Sequence, residues 1–470
     1  MKLEVFSPYD KSKVGELELE NIESANKKLE LLYSFFQGKS THKKLKKFER
    51  LAILEKIIEL LKRDYDKIIN IAISEGGKPK KDTIIEMDRA IDGVKIAIAT
   101  LRSMSGQEIP MELTPSSQNR YASYSYEPIG VIYALSAFNH PINLIIHQVI
   151  PAFAVGSPVL IKPAPATPLT CDYLVKLFYE AGVPEYYLQQ LICDNDVAGQ
   201  IVSDNRIAYL SFIGSAAVGW QLSRKLHNGV RFGLEHGGIA PVIIADDIQS
   251  DEDILRIAKS IAKGGYYHSG QVCVSTQRVF IPRNISDSFV EKLTEIANNL
   301  KVGNPNDEDT DLGPVINLQS IERIDNWVKL AILDKNANCK LAFGGNKIGD
   351  TCYAPTLLIN PSKDALVSTN EIFGPVVCLY EYDDINEAIN WANNSEFVFH
   401  SALFTNDLNS AFDLSEKLNG TGIMVNDHTA FRTDWMPFGG DKSSGMGIGG
   451  INYSMLEYSY KKLRVFNFNR

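Results

Sequence analysis

Nowhere in this 470-residue chain do 18 apolar residues run without a charge or a breaker, so no membrane-spanning helix is expected. Positive charge is not in excess either. Lys and Arg total 48 against 57 Asp and Glu, a net charge of −9, which gives nucleic-acid binding no electrostatic support. The six cysteines, at 171, 193, 273, 339, 352 and 378, form no CxxC and no metal-ligand spacing; in an acidic chain of this length they read as reduced thiols. The eight histidines form no HExxH pair, so a catalytic metal is not expected. Met1-Lys2-Leu3-Glu4 begins no apolar signal region, and a cytoplasmic location is expected. Internal repeats and low-complexity segments are missing. A GxGxxG turn after the first buried strand is missing too, which argues against the standard dinucleotide phosphate turn.

What remains is an ordinary globular composition, 44% apolar and 22% charged, long enough for two or three lobes. Residues 40–74 carry helical periodicity over many turns, with Ser40 and Thr41 as caps and Gly76-Gly77-Lys78-Pro79 as the stop. From Arg120 to Glu127 aromatics alternate with small or polar residues, the pattern of an exposed ribbon. Between Gly130 and Gly238, short apolar runs near 130–135, 158–161, 186–192 and 208–212 alternate with helical segments such as Thr170 to Glu180. That alternation predicts a parallel, doubly wound sheet. A second set follows Ala240, with strands near 242–244, 278–281 and 376–380 and helices near 253–263 and 286–299. The strand-like tail from Tyr460 suits edge-on pairing.

Two residues carry the chemistry. Cys273 ends the run Gly270-Gln271-Val272-Cys273, and a thiol after a Gly-Gln turn can approach an electrophilic carbon unobstructed. Glu235, in Leu234-Glu235-His236-Gly237-Gly238, is a carboxylate that the glycines allow to swing toward the thiol or a water. A thiolate that adds and a carboxylate that moves protons outline covalent catalysis on a carbonyl. For a nucleotide, Phe212-Ile213-Gly214-Ser215 follows a buried strand and opens a helix, offering free N–H groups and a hydroxyl to phosphate. Lys162, at the carboxyl end of a strand, points into the crevice where ligands bind in open α/β sheets.

In this order the motifs resemble those of the NAD(P)-dependent aldehyde dehydrogenases of the hydrolytic type, over nearly the whole chain. Ala137-Phe138-Asn139-His140-Pro141 is similar to that family's oxyanion segment, and Lys162-Pro163-Ala164 to its ribose-binding lysine motif. Phe212-Ile213-Gly214-Ser215 resembles its pyrophosphate turn. The Glu235 and Cys273 motifs resemble its base and nucleophile, and Glu371-Ile372-Phe373-Gly374-Pro375 its nicotinamide-ribose segment. Pro437-Phe438-Gly439-Gly440, followed by Lys442 and Ser444-Gly445, is similar to its late glycine motif. The resemblance implies an α/β fold with a Rossmann-type cofactor domain (1–116 and 131–238), an α/β catalytic domain (239–450) and a β-ribbon oligomerisation arm (117–130 and 451–470). It implies a homodimer or homotetramer and an aldehyde substrate. Cys273 would attack the aldehyde, Asn139 and the Cys273 N–H would hold the oxyanion, and Glu235 would activate water on the thioester. Lys162, Gly214, Ser215, Glu371 and Phe373 would bind the cofactor.

The chain departs from the family pattern in ways that bear on specificity. Where many NAD-preferring members carry Glu, three residues after the motif lysine, this chain has Pro165, so a 2′-phosphate meets no repulsion and NADP is expected beside NAD. Ile213 replaces a frequent Thr, Gly447-Ile448-Gly449-Gly450 a frequent Arg-Glu ending, and Phe397-Val398-Phe399 a frequent Tyr-Gly-Leu. On the helix after Asn139, His140, Leu144 and His147 share one face, and Arg432 stands five residues before Pro437. His140, His147 and Arg432 together suggest an anionic or hydroxylated substrate, with a small anionic aldehyde such as glyceraldehyde 3-phosphate or succinate semialdehyde as the leading reading. Arg278 is read as structural. The competing readings are a CoA-acylating dehydrogenase, which needs no water-activating base, and a non-catalytic binding protein, which needs neither Cys273 nor Asn139.

Overall fold

Val131–Leu135 is buried at every position, which is what a strand covered on both faces by helices requires. It lies in a six-stranded sheet ordered Gly445–Met446, Arg231–Glu235, Ile207–Ile213, Val131–Leu135, Val159–Lys162, Leu188–Gln190. All pairings are parallel except Gly445–Met446 on Arg231–Glu235. The structure, a computed structural model, describes residues 1–468; the last two residues of the expected arm lie outside them.

Helices Lys47–Arg63, Lys80–Ser103, Asn143–Val155 and Pro168–Ala181 pack one apolar core against this sheet. Gly182, at φ 104°, ends the last of these in the left-handed conformation, a helix stop that glycine adopts without steric cost. Helices Ile22–Phe36 and Asn195–Val202 cover the other face. A seven-stranded sheet forms the second unit, ordered Lys340–Phe343, Thr356–Ile359, Val376–Tyr382, Arg278–Pro282, Pro241–Ile244, His400–Phe404, Gly422–Val425. Only its first strand is antiparallel. The tail Ser459–Asn467 pairs antiparallel with Arg120–Pro128 along its full length, and Gln107–Ile109 adds a third strand. Among the described residues, no helix is long and apolar enough to cross a membrane.

Two expectations need correction. The helical pattern of 40–74 is two helices, Lys47–Arg63 and Tyr65–Gly76, and Ser40 and Thr41 cap neither. The first begins where the Glu49 carboxylate accepts from the Lys46 N–H, at 2.6 Å. The break falls at Asp64, whose carboxylate takes the Tyr173 hydroxyl at 2.8 Å and the Arg63 guanidinium. The strand near 186–192 shrinks to Leu188–Gln190. Gly445–Met446 joins the first sheet, Ile451 and Met455 sit in its core, and Gln107–Ile109 belongs to the ribbon.

Candidate active site

The two sheets bring the motif residues to one cavity of about 1040 Å³, lined by Lys162, Gly214, Ser215, Glu235, Cys273 and Glu371 among others. Its walls also include Asn139, His140, Pro165, Phe373 and Arg432. Of the residues expected at the site, only His147 is missing from the wall.

The Cys273 loop is not loose. After helix Asp251–Tyr266, His268 and Ser269 take left-handed backbone at φ 48° and 53°. Gly270 follows at φ 68°, and a Cβ there would lie 2.0 Å from the Gly374 carbonyl oxygen. Gln271 is fully buried; its amide donates to the Pro314 carbonyl at 3.3 Å, and its oxygen accepts from the Ile316 N–H at 2.9 Å. Asn139 Nδ2 donates to the Gln271 carbonyl at 3.0 Å, which ties the amide to the Cys273 loop and leaves its second N–H for another acceptor. Burial pushes the Cys273 thiol up to about 12, with Glu235 and Glu371 adding to the rise and the Arg432 guanidinium opposing it.

Glu235 ends the strand Arg231–Glu235. Burial raises its pKa, and Arg432 partly offsets this. The glycine that makes room for it is Gly449, where a Cβ would lie 2.4 Å from Glu235 Oε1. Gly237 instead makes room for Glu371. Among the described residues Glu371 Oε1 is buried without a hydrogen-bond partner, and burial pushes the carboxyl up to about 8 despite Arg323 and a backbone hydrogen bond from Gly238. Phe373, at φ 49°, stands edge-on to Phe138 with ring centres 5.8 Å apart.

Toward the other end, Lys162 is buried, and its Nζ reaches only the Pro163 carbonyl at 3.4 Å. Burial lowers its pKa against the pull of Cys193 and Asp194. Ser215 precedes helix Ala216–Ser223 with its side chain free of any capping bond. Lys225, which no motif signals, lines the same region.

The polar residues beyond Asn139 are arranged differently from expectation. His140 lines the cavity, with its Nδ1 2.5 Å from Lys78 Nζ. Burial first, then Lys78, push its pKa down to about 4, so the ring is neutral. His147 turns away from the cavity: its Nε2 lies 2.8 Å from Asp434 Oδ1, a hydrogen bond that outweighs the helical face it shares with His140 and Leu144. Arg432 stacks its guanidinium 3.5 Å over the Phe438 ring centre, with Nε buried and unpartnered. Beside it lies Arg89, also on the cavity wall. Neither Arg89 nor Asp434 carried a local sequence signal. Arg278 is buried, donating to the carbonyls of Ile239 and Ala392 at 2.9 and 3.0 Å.

A model of the aldehyde dehydrogenase family matches residues 1–463. The chain belongs to the aldehyde dehydrogenase family. As a member it is an NAD(P)-dependent oxidoreductase acting on aldehydes. A 3-sulfolactaldehyde dehydrogenase from Priestia aryabhattai is 35% identical over 467 residues, 99% of this chain and 95% of that one. Aldehyde dehydrogenase 21 from Physcomitrella patens, solved with its reaction product succinate, is 31% identical with a TM-score of 0.93, covering 99% and 95% of the two chains. The glyceraldehyde-3-phosphate dehydrogenase of Methanocaldococcus jannaschii, solved with NADP, is 30% identical with a TM-score of 0.92 over 99% of each chain.

Proposed function

We propose that this aldehyde dehydrogenase oxidises a small aldehyde with an anionic tail to its carboxylic acid, and that Arg432 pairs with the tail. The observation that carries this reading is a guanidinium with an unpartnered Nε on the wall of the cavity that holds Cys273. The relatives point the same way, since 3-sulfolactaldehyde and succinate are small anions.

Cys273, Glu235 and Asn139 are the catalytic groups in this reading. Cys273 reacts as the thiolate, the form the Arg432 guanidinium favours: its Sγ bonds to the aldehyde carbon, and the carbonyl π pair moves to oxygen. The free N–H of Asn139 and the backbone N–H of Cys273 stabilise that oxyanion, each worth about 2.7–4 kcal/mol. A bound nicotinamide supplies the hydride acceptor that turns the adduct into a thioester. Glu235 then takes a proton from the water that attacks the thioester carbon, and the C–S bond breaks to release the acid and the thiolate. Glu235 suits that work because burial disfavours its charged form and so strengthens it as a base.

The residues present fit the cofactor. Glu371 Oε1 has no protein partner and would accept from a ribose hydroxyl, with Phe373 beside it. Lys162 would meet the adenosine ribose, and Gly214 and Ser215 the pyrophosphate at a helix N-terminus. Pro165, exposed on the wall, puts no carboxylate against a 2′-phosphate, so NADP is accepted as well as NAD. The unit of the six-stranded sheet would carry Lys162, Gly214 and Ser215 for the cofactor together with Glu235 and Asn139, and that of the seven-stranded sheet would supply Cys273, Glu371 and Phe373. Tyr121, Leu463, Val465 and Phe466 are exposed on the ribbon, which supports assembly into a homodimer or homotetramer, in the cytoplasm.

Initial rates with neutral and anionic aldehydes and both cofactors test the proposal. An anionic aldehyde should give the highest kcat/KM; a clear preference for neutral aldehydes would overturn it.

A further inference from the structure

We infer that the tail this site accepts is a monoanion, a carboxylate or sulfonate, in preference to a phosphate dianion, because Asp434 cancels one of the two guanidinium charges at the tail end. The inference rests on the anionic-substrate reading above and narrows it. Arg89 and Arg432 both line the cavity, and Asp434 sits behind that wall at 2% exposure. Asp434 accepts from Arg89 Nε at 3.0 Å and Nη2 at 2.8 Å. It also accepts from Asn143 Nδ2 at 3.1 Å, and its Oδ1 lies 2.8 Å from His147 Nε2.

The neighbouring charges do not alter that balance. Lys78 and Glu86 neutralise each other as a fully buried pair at 2.9 Å. Burial holds His140 and His147 below the usual histidine range, so neither adds a positive charge. Glu235 belongs to the reacting end beside Cys273 and is left out of the tail-end balance. Two guanidiniums and one carboxylate leave a single net positive charge facing the tail. A carboxylate or sulfonate matches it. A phosphate monoester, whose second ionisation lies near about pH 6, brings a second negative charge; the net attraction rises only in proportion to charge, whereas the cost of stripping water from a dianion rises more steeply, and no second net cation offsets it.

The test is kcat/KM for succinate semialdehyde, glyceraldehyde 3-phosphate and butyraldehyde at pH 8 and fixed ionic strength. Wild type should favour succinate semialdehyde over glyceraldehyde 3-phosphate. In Asp434→Asn, which keeps an oxygen acceptor for Arg89 and His147, the ratio of phosphate to carboxylate substrate should rise about ten-fold. Arg89→Leu removes a cation and should move the ratio the opposite way, so the inference stays falsifiable if Asp434→Asn folds poorly. A wild type that prefers the phosphate, or a ratio that Asp434→Asn leaves unchanged, overturns the inference. If butyraldehyde outruns both anions on wild type, the anionic reading itself has failed, a separate outcome.

Discussion

Gly237 lies so close to Glu371 that a Cβ built on it would stand 1.5 Å from the carboxylate Oε1. The glycine two residues after Glu235 therefore accommodates the buried carboxyl across the cavity, whose Oε1 has no hydrogen-bond partner among the described residues, and Gly449 accommodates Glu235. Each glycine of the two motifs answers to a partner far away in the chain. Gly237→Ala should push the Glu371 carboxyl aside at a cost of about 1–3 kcal/mol, seen as weaker cofactor binding in fluorescence titration. Unchanged affinity would mean that Glu371 does not hold the cofactor.

Cys273→Ala should bind cofactor like wild type yet lose at least about three orders of magnitude in turnover. The thiol itself should be sluggish without ligands. Since it is pushed up to about 12, the protonated form dominates at pH 8, and labelling by iodoacetamide should climb about ten-fold per pH unit toward pH 10. Removing the guanidinium that favours the thiolate, by Arg432→Leu, should slow labelling further. Fast labelling at pH 7 would contradict this.

Glu235→Gln should separate the two half-reactions. With hydrolysis as its main task, the variant gives a burst of reduced cofactor in rapid mixing and then stalls as the thioester. A slowed burst would show that Glu235 also takes the thiol proton. An unchanged steady-state rate would rule out both roles.

Pro165→Glu should weaken NADP about ten-fold or more through like-charge repulsion with the 2′-phosphate, with a smaller effect on NAD. Titrating both cofactors against both proteins decides it. A wild type that binds NAD far more tightly than NADP would already contradict the reading.

Arg432→Leu should lower kcat/KM for an anionic aldehyde by about 10- to 200-fold, the equivalent of a charge-assisted hydrogen bond of roughly 1.5–3 kcal/mol. Butyraldehyde should be affected little. Equal losses on both would assign Arg432 to support of its loop through the Phe438 ring.

By itself, the sequence determined the parts whose signals are local. The buried strand Val131–Leu135 is a contiguous apolar run, helix Pro168–Ala181 ends where Gly182 permits the left-handed turn, and Cys273, Glu235 and Glu371 sit in short motifs whose neighbours along the chain are also neighbours in space. Only the tertiary structure decided the rest. His147 shares a helical face with Leu144, yet it turns from the cavity to Asp434, 287 positions away. Arg89 meets the same carboxylate across 345 positions. A helical period says which residues share a face; it does not say which distant charge that face will meet, because that depends on how separate helices and loops pack. The tail's pairing with Arg120–Pro128 was legible as a strand, while its residue-by-residue register came only from the packed ribbon. The motifs of the proposed reactive centre were therefore readable from the chain, and the arrangement of Arg89, Arg432 and Asp434 emerged only on folding.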